Sequence, residues 1–150
     1  MKIGELAVES STPIETIRYY EREGLLPAPA RTQGNFRVYD ASHKERLLFV
    51  RFCRGLDMSL DEVRVLLRFK DAPGKDCGDV DALLDEHIAH VSTRIRELRA
   101  LEKQLKELRA RCGVSQSADQ CGILSGMTRA AQNLPESKRA KGHLRSVHSA

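Results

Sequence analysis

Tryptophan is absent from this sequence, and aromatic side chains of any kind are absent after residue 69. The chain has 150 residues, and its three tyrosines and four phenylalanines all lie in the first half. Large rings contribute most to the burial that builds a core. The sequence therefore predicts that the compact core lies within residues 1–70.

Long apolar runs are also missing, since the longest is the short segment Leu47–Val50. A helix that spans a bilayer needs about 20 predominantly apolar residues in succession. Residues 1–5 contain a lysine and a glutamate and no apolar signal core. We therefore expect a cytoplasmic protein that has no membrane partner.

A strong charge of one sign is missing as well. The sequence has 25 lysines and arginines and 21 acidic residues, so the net charge is +4 at pH 7. That surplus is too small to indicate nucleic-acid binding by itself, so such an interpretation depends on motifs. In a reducing compartment the four cysteines favour thiol chemistry or metal binding over a disulfide framework.

The signatures of an enzyme are absent too. The sequence has no phosphate-binding glycine loop and no grouping of a nucleophile with a histidine and an acid. We therefore interpret the chain as a binding protein and not as an enzyme.

The first 25 residues contain two short helical segments joined by a tight turn. The polar run at residues 10–12 breaks the first segment. Thr12 and Glu15 have the spacing of a capping box and predict a second helix from Pro13 to about Glu23. Two such helices are typical of a helix-turn-helix motif.

A small hairpin is predicted over residues 31–39, with its turn at residues 34–35. It carries two arginines and two aromatic rings, the composition expected of a wing that lies against a DNA backbone. Two further helices follow. The first begins at Asp40 or Ser42, and the second begins after Ser59 and continues to residue 70.

The longest uninterrupted segment covers residues 79–111 and contains neither glycine nor proline. Its apolar residues recur every three or four positions between Leu84 and Leu108, and its other faces are charged. A helix with such a stripe cannot bury it alone. We therefore predict a coiled coil, and a homodimer is the commonest way to supply the second helix.

Three of the four cysteines flank this long helix. Cys77 precedes it, Cys112 follows it, and Cys121 comes after a short loop that can fold back. A helix of this length is roughly 50 Å long at ~1.5 Å per residue, so Cys77 and Cys112 cannot meet within one chain. Antiparallel packing of two chains predicts two equivalent sites, each with Cys112 and Cys121 of one chain and Cys77 of the other. Three thiolates favour a soft or borderline cation.

Simpler interpretations stay open for these residues. All four cysteines can be incidental or can form a redox pair, and Cys53 is interpreted as an inert buried thiol. His87 and His90 lie three residues apart on one helix face and form a candidate second metal site with His143 or His148. Solvated surface histidines are the favoured interpretation.

These observations divide the chain into five parts. We predict a winged helix-turn-helix domain over residues 1–70, a linker over residues 71–78 and a dimerisation helix over residues 79–111. A metal-binding loop with a short helix follows over residues 112–128, and a disordered tail over residues 129–150. The tail is predicted to be disordered because it is polar, basic and free of aromatic residues.

Several segments resemble the MerR family of transcription regulators. Its DNA-binding domain is similar to Thr16–Leu26, which contains Arg-Tyr-Tyr-Glu-Arg, to Gly34–Tyr39 and to Leu56–Val63. The segment Asp76–Ile88 is similar to the cadmium- and lead-responsive branch of that family. The resemblance covers about residues 1–125.

The resemblance implies a mainly α fold, with a winged helix-turn-helix domain, a long antiparallel dimerisation helix and an effector site at its end. It also implies a mode of action. A homodimer binds a palindrome in double-stranded promoter DNA. In such a promoter the two elements that RNA polymerase recognises are too far apart for it to engage both. Effector binding then makes the protein bend and untwist the DNA, so that RNA polymerase is engaged indirectly, through the DNA.

Carried over by position, the resemblance places the second helix in the major groove and the hairpin against the DNA backbone. The residues that it implies as DNA contacts are Thr16, Arg18, Tyr19, Tyr20, Arg22, Asn35, Arg37 and Tyr39. Two alternatives stay open. Tyr20 can belong to the core, and Arg22 can pair with Glu15 or Glu23.

The resemblance also implies a divalent effector, because copper(I) sensors of the family carry serine at the position of Cys77. Zinc sensors tend to add a cysteine or histidine within the loop, and residues 113–120 contain neither, so Zn(II) is disfavoured. Pb(II) and Cd(II) are favoured over Hg(II). A mercury, redox or organic-ligand sensor on the same scaffold, or a thiol metal buffer or chaperone, stays open as an alternative.

Overall fold

The computed structural model describes residues 1–135, and most of the predicted tail lies outside the described residues. This part of the chain contains six α-helices, one hairpin and a short 3-10 turn at Ala118–Gln120. The helices and strands are α1 Ile3–Ser10, α2 Ile14–Arg22, β1 Ala30–Arg31, β2 Arg37–Val38, α3 Ala41–Gly55, α4 Leu60–Lys70, α5 Gly78–Ala110 and α6 Gly122–Gln132. The predicted mainly α fold is confirmed.

The turn between α1 and α2 differs from the prediction in one detail. Ser11 adopts a left-handed conformation with φ of 49°, which ends α1 and redirects the chain. The Thr12 hydroxyl then donates to the Ser10 carbonyl at 3.1 Å instead of capping α2. The predicted capping box of Thr12 and Glu15 is therefore wrong, and Pro13 occupies the N-cap position.

The caps of α3 and α4 form as the sequence predicts. The Asp40 carboxylate accepts from the backbone N–H of Ser42 at 2.9 Å and of His43 at 3.3 Å. The Ser59 hydroxyl accepts from the Glu62 N–H at 3.2 Å, and the Glu62 carboxylate accepts from the Ser59 N–H at 3.0 Å. A side-chain cap of this kind stabilises a helix by about 1 kcal/mol.

Two buried apolar clusters form the core of the first unit, residues 1–83. One consists of Leu25, Val50, Cys53, Met58, Val63 and Leu67. The other consists of Leu6, Ile17, Leu26, Tyr39 and Leu47. Tyr20 packs against both clusters. The core thus lies within residues 1–70, although the rings of Phe36 and Phe52 remain largely exposed.

The predicted hairpin is confirmed as a short antiparallel pair. Ala30 lies opposite Val38, and Arg31 lies opposite Arg37. Asn35 has a φ of 65°, a left-handed conformation that asparagine tolerates better than most residues and that closes the turn. The hairpin follows α2 directly in the chain and precedes α3.

The long helix α5 has 33 residues and matches its predicted bounds to within one residue. None of its apolar side chains is buried in the single chain. The exposed members of its stripe are Leu84, Ile88, Val91, Ile95, Leu101 and Leu105. Within residues 1–135, no helix is both long and apolar enough to cross a membrane.

The last described helix is longer than the sequence suggested. The sequence predicts a loop with a short helix over residues 112–128 and a disordered tail from residue 129, whereas α6 continues to Gln132. Five of the 11 residues of α6 are alanine, leucine, methionine or arginine, which are strong helix formers. The helix ends at Asn133, whose side-chain amide donates to the Arg129 carbonyl at 3.3 Å.

Candidate nucleic-acid interface and metal centre

The outer face of α2 presents basic and aromatic side chains. Ile17 is fully buried in the core and fixes the rotation of the helix. That rotation leaves Arg18 and Tyr19 exposed, with Thr16 half-buried on the same helix. The Arg22 guanidinium lies 5.9 Å from the centroid of the Tyr19 ring. The exposed face of α2 therefore presents the guanidinium of Arg18 and the guanidinium of Arg22, which lies over the Tyr19 ring, and both can bind a ligand.

Both carboxylates considered as partners of Arg22 engage other arginines. Glu15 Oε1 lies 3.6 Å from Arg18 Nη1, and Glu23 Oε2 lies 2.5 Å from Arg64 Nη2. Arg22 accordingly stays at the exposed surface of α2. An arginine in such a position can reach a phosphate or a base edge.

Two tyrosines that the family resemblance implies as DNA contacts are buried or half-buried. Tyr20 is half-buried against both core clusters, and this burial raises its pKa. Tyr39 is buried, and its hydroxyl donates to Glu21. Burial and then this hydrogen bond raise the pKa of Tyr39 to about 12. Tyr39 therefore belongs to the core, whereas Tyr20 packs against both clusters and stays partly exposed.

The hairpin is held by its own side chains. Arg31 Nη1 donates to both the carbonyl and the side-chain oxygen of Asn35, each at 3.1 Å. The Phe36 N–H donates to Thr32 Oγ1 at 3.2 Å. Arg37 is 42% exposed and is therefore the hairpin arginine with a side chain that can turn toward a ligand. Asn35 uses its side chain to keep the turn in shape.

Two of the three predicted ligand cysteines lie together at the end of α5. The Cys112 thiol contacts Cys121 and also donates to the Val114 carbonyl at 3.3 Å. Cys121 directly precedes α6, and the backbone amide of Leu124 is the main cause that lowers its pKa, followed by the amide of Ile123 and the Cys112 thiol. Both cysteine residues are half-buried.

The fold-back of α6 depends on two glycines that sequence reasoning did not single out. A Cβ on Gly122 would lie 2.5 Å from the Arg111 carbonyl oxygen, which is closer than any side chain permits. A Cβ on Gly126 would lie 2.6 Å from Arg111 Nη1. These glycines are four residues apart and therefore share one face of α6. That spacing is the sequence signal that could have revealed the close approach of α6 to Arg111.

The other two cysteines occupy different surroundings. Cys77 is exposed and directly precedes α5, where its carbonyl accepts from the N–H of Val80 at 3.0 Å. Cys53 is buried in the core, and burial raises the pKa of its thiol. The Cys112 and Cys121 pair fits a thiophilic cation, because both sulfurs are near the surface and the amides at the start of α6 favour a thiolate.

Comparison with known proteins identifies the family. The family described as MerR HTH family regulatory protein matches residues 1–70, and the family described as MerR, DNA binding matches residues 44–108. The HTH-type transcriptional regulator ZntR homolog of Haemophilus influenzae is 46% identical over 124 residues, which cover 83% of this chain and 91% of that protein. The chain belongs to the MerR family.

Two further MerR-family proteins extend the comparison. The regulator ZntR of Escherichia coli K12 is 35% identical over 135 residues, which cover 89% of this chain and 96% of that protein. PbrR691 from Ralstonia metallidurans CH34, solved in complex with lead(II), has a TM-score of 0.75 and 52% identity, covering 85% of this chain and 98% of that one. The chain is therefore a MerR-type, metal-responsive transcriptional regulator, and its relatives regulate transcription and are not enzymes.

The histidine set of this MerR-family chain stays a prediction. His87 and His90 are three residues apart on α5, and His90 Nε2 lies 3.9 Å from Glu86 Oε1. His143 and His148 lie outside the described residues.

Proposed function

We propose that this regulator activates transcription when Pb(II) or Cd(II) binds a thiolate site shared between two chains. Each site takes Cys112 and Cys121 from one chain and Cys77 from the other. The observation that carries the proposal is the contact between Cys112 and Cys121, which is made possible by the close packing of α6 on Arg111.

The need for a second chain follows from the length of α5. Cys77 precedes this helix and Cys112 follows it, so roughly 50 Å of helix separates them at ~1.5 Å per residue. The exposed stripe of α5 independently requires a partner helix. One antiparallel homodimer supplies the third thiolate and covers the stripe.

The charges of α5 support this orientation. Its first half, residues 78–93, contains four acidic residues and no lysine or arginine. Its second half, residues 94–110, contains six basic and three acidic residues. Antiparallel packing places the acidic half of one helix beside the basic half of the other, whereas parallel packing places like charges together. Charge therefore favours the arrangement that brings Cys77 to the cysteine pair.

The DNA-binding role rests on α2 and the hairpin. We propose that α2 enters the major groove and that the hairpin lies along the phosphate backbone. With the buried Tyr39 and the half-buried Tyr20 left out, the proposed contacts are Thr16, Arg18, Tyr19, Arg22, Asn35 and Arg37. The exposed guanidinium groups supply phosphate and base contacts, and the core holds both elements in place.

Activation requires that metal binding change the shape of bound DNA. Bending a promoter site costs on the order of 1–6 kcal/mol. The metal can supply this free energy only if it binds the dimer on distorted DNA more tightly than the dimer on relaxed DNA. RNA polymerase then responds to the altered promoter, and no direct contact with the regulator is required.

The choice of metal rests on the donor set and on one relative. Three thiolates suit large, thiophilic divalent cations. The lead(II) complex of PbrR691, at 52% identity, supports Pb(II) as the effector. The cysteine set also accommodates Cd(II) if a further ligand completes its coordination, whereas Hg(II) and Zn(II) are disfavoured.

Promoter transcription with purified protein tests this proposal. The free concentrations of Pb(II), Cd(II), Hg(II) and Zn(II) are buffered separately under anaerobic conditions. We expect Pb(II) or Cd(II) to activate at the lowest free concentration, together with a metal–thiolate absorbance band. Activation by oxidant without metal identifies a redox sensor instead, and equal activation by all four metals overturns the metal assignment.

A mixed dimer tests the sharing of ligands. Cys77→Ser and Cys112→Ser homodimers should each lose the absorbance band, whereas Cys53→Ser should keep it because Cys53 is buried in the core. After subunit exchange, a dimer of the two inactive variants regains one complete site, with Cys77 and Cys112 intact on opposite chains. Half of the wild-type metal content is expected in that mixed dimer. No recovery would contradict a shared site.

A further inference from the structure

Helix α2 and the hairpin are the two elements of the proposed DNA interface, and Glu21 near the end of α2 contacts residues of the second hairpin strand and its end. Its side chain is only 13% exposed. Its Oε1 accepts a hydrogen bond from the Tyr39 hydroxyl, and its Oε2 lies 3.8 Å from Arg37 Nε. One carboxylate on α2 therefore touches both the residue that anchors the second hairpin strand and the arginine that this strand exposes.

Tyr39 is itself held in place by several contacts, and it therefore fixes one oxygen of the Glu21 carboxylate. Its backbone N–H donates to the Met1 carbonyl at 2.8 Å, and its own carbonyl accepts from the Met1 ammonium at 2.6 Å. Its ring stacks edge-on against His43, with centroids 5.3 Å apart. The Tyr39 hydroxyl is protonated at neutral pH, as in any tyrosine with a pKa of 10 or above, so it acts as the donor. The orientation of Glu21 is thus determined on one side, and its second oxygen faces Arg37.

A carboxylate near the DNA-facing surface has an electrostatic cost. DNA phosphates repel it, and losing a negative charge would by itself strengthen binding to any DNA. A carboxylate retained at such a place needs a compensating role. The contacts of Glu21 supply one, because they restrict where the long, flexible Arg37 side chain can point.

We propose that Glu21 is a positioning residue for DNA recognition. It holds the Arg37 side chain of the hairpin in the place where it can contact DNA at the same time as the side chains of α2. The proposal rests on the proposed function, in which Arg37 contacts the DNA backbone. In a specific complex, α2 and the hairpin must engage neighbouring groups at the same time, so the register between them matters. In a non-specific complex the contacts are mainly electrostatic and tolerate a displaced arginine.

The variant Glu21→Gln removes the ion pair with little change in size. Its side-chain oxygen can still accept from Tyr39, but it presents no charge to Arg37. Binding is measured to an operator duplex, selected by the wild-type protein from a random library, and to a scrambled duplex of equal length. We expect the ratio of operator to scrambled affinity to fall about threefold to tenfold, the range of a moderate side-chain coupling.

Glu23→Gln is the matched control for charge. Glu23 directly follows the same helix, is 39% exposed and pairs with Arg64, which is not a proposed DNA contact, and its loss changes the net charge by the same amount. The control should shift the affinity for both duplexes alike and leave their ratio unchanged. A ratio that falls equally in the two variants would show a general charge effect and overturn the positioning role.

A double-mutant cycle tests whether Glu21 acts through Arg37. If it does, Glu21→Gln should have little further effect on the ratio in an Arg37→Ala background. Additive losses would overturn the positioning role but leave the proposed hairpin contact intact. Unchanged operator affinity in Arg37→Ala alone would overturn the hairpin contact itself, and the role of Glu21 with it.

Thermal unfolding and a second variant separate positioning from folding. Tyr39→Phe keeps the buried ring but removes the donor that orients Glu21, so the affinity ratio should fall in the same direction and by less. A fall in the ratio without a matching fall in melting temperature supports positioning. Ratios that track melting temperature across both variants would show a structural role only and overturn the proposal.

Discussion

Apolar side chains are buried within residues 1–70, whereas most of those on the helices α5 and α6 are exposed. The first region closes two buried clusters around residues such as Ile17 and Leu47. In α5, the stripe from Leu84 to Leu105 stays exposed in the single chain. Residues 1–70 can therefore hold their shape from within, whereas the region proposed to sense metal needs a partner to cover its stripe. In the proposed function this difference is useful, because only the second region has to respond to a ligand.

The largest expected effect comes from the closed region. Leu47 is buried in the core, whereas its neighbour Leu48 is 43% exposed on the same helix. Leu47→Ala should lower the free energy of unfolding by about 2–5 kcal/mol, because it leaves a cavity. Leu48→Ala, the matched control, should cost far less. Urea unfolding measures both, and equal effects would contradict the description of residues 1–70 as a closed core.

A stripe residue of α5 should behave differently. Ile95 is 44% exposed in the single chain, so Ile95→Ala should affect association more than local folding. We expect a dimer dissociation constant raised at least roughly tenfold, the equivalent of about 1.4 kcal/mol. Thr93→Ala, an exposed change away from the stripe, is the control. Analytical ultracentrifugation checks this, and an unchanged constant for Ile95→Ala would remove the stripe as the dimer contact.

The packing of α6 gives a smaller and more local effect. Gly122→Ala places a Cβ against the Arg111 backbone, which cannot move without disturbing the end of α5. Gly126→Ala meets only the mobile end of the Arg111 side chain. We therefore expect Gly122→Ala to weaken metal binding about tenfold, as does loss of a supporting residue around a metal site, and Gly126→Ala to weaken it less.

Competition with a metal chelator measures that difference. Operator binding without metal should stay unchanged in both variants, because neither glycine belongs to residues 1–70. Equal metal affinities for Gly122→Ala and the wild type would show that the cysteine pair does not depend on the close approach of α6.

The parts of the fold that sequence could predict are those with a local cause. The stripe of α5 has helical periodicity, and the capping groups Asp40 and Ser59 act on amides two or three residues away. The hairpin was predictable because its turn at residues 34–35 has a strong local preference. Such features need no knowledge of what packs against them.

The errors have tertiary or competing local causes. The Thr12 hydroxyl can either cap α2 or donate to a nearby carbonyl. Because Ser11 adopts a left-handed conformation, the hydroxyl donates to the Ser10 carbonyl. Tyr39 resembles a DNA contact by position, but its burial depends on the whole core. Gly122 matters only because α6 returns to Arg111. For the candidate site, the cysteine pair followed from spacing, whereas its packing did not.

The smallest expected effect concerns the thiols and compares the two regions directly. The amides at the start of α6 hold the pKa of Cys121 below its ordinary value, whereas burial raises the pKa of Cys53. Because thiolates react and thiols do not, iodoacetamide should modify Cys121 before Cys53 near neutral pH in metal-free protein. A depressed pKa in the folded state contributes stability that is present above the unfolded pKa and is lost as pH falls through the folded pKa.

Alkylation of Cys121 should therefore slow as pH falls through its lowered pKa, and bound metal should protect it at every pH. Mass spectrometry of digested protein measures both rates across the pH range. A Cys121 rate with the pH midpoint of an ordinary free thiol would show that the start of α6 does not favour the thiolate. The sensing region would then lack the preformed anionic donor that distinguishes it from the closed core.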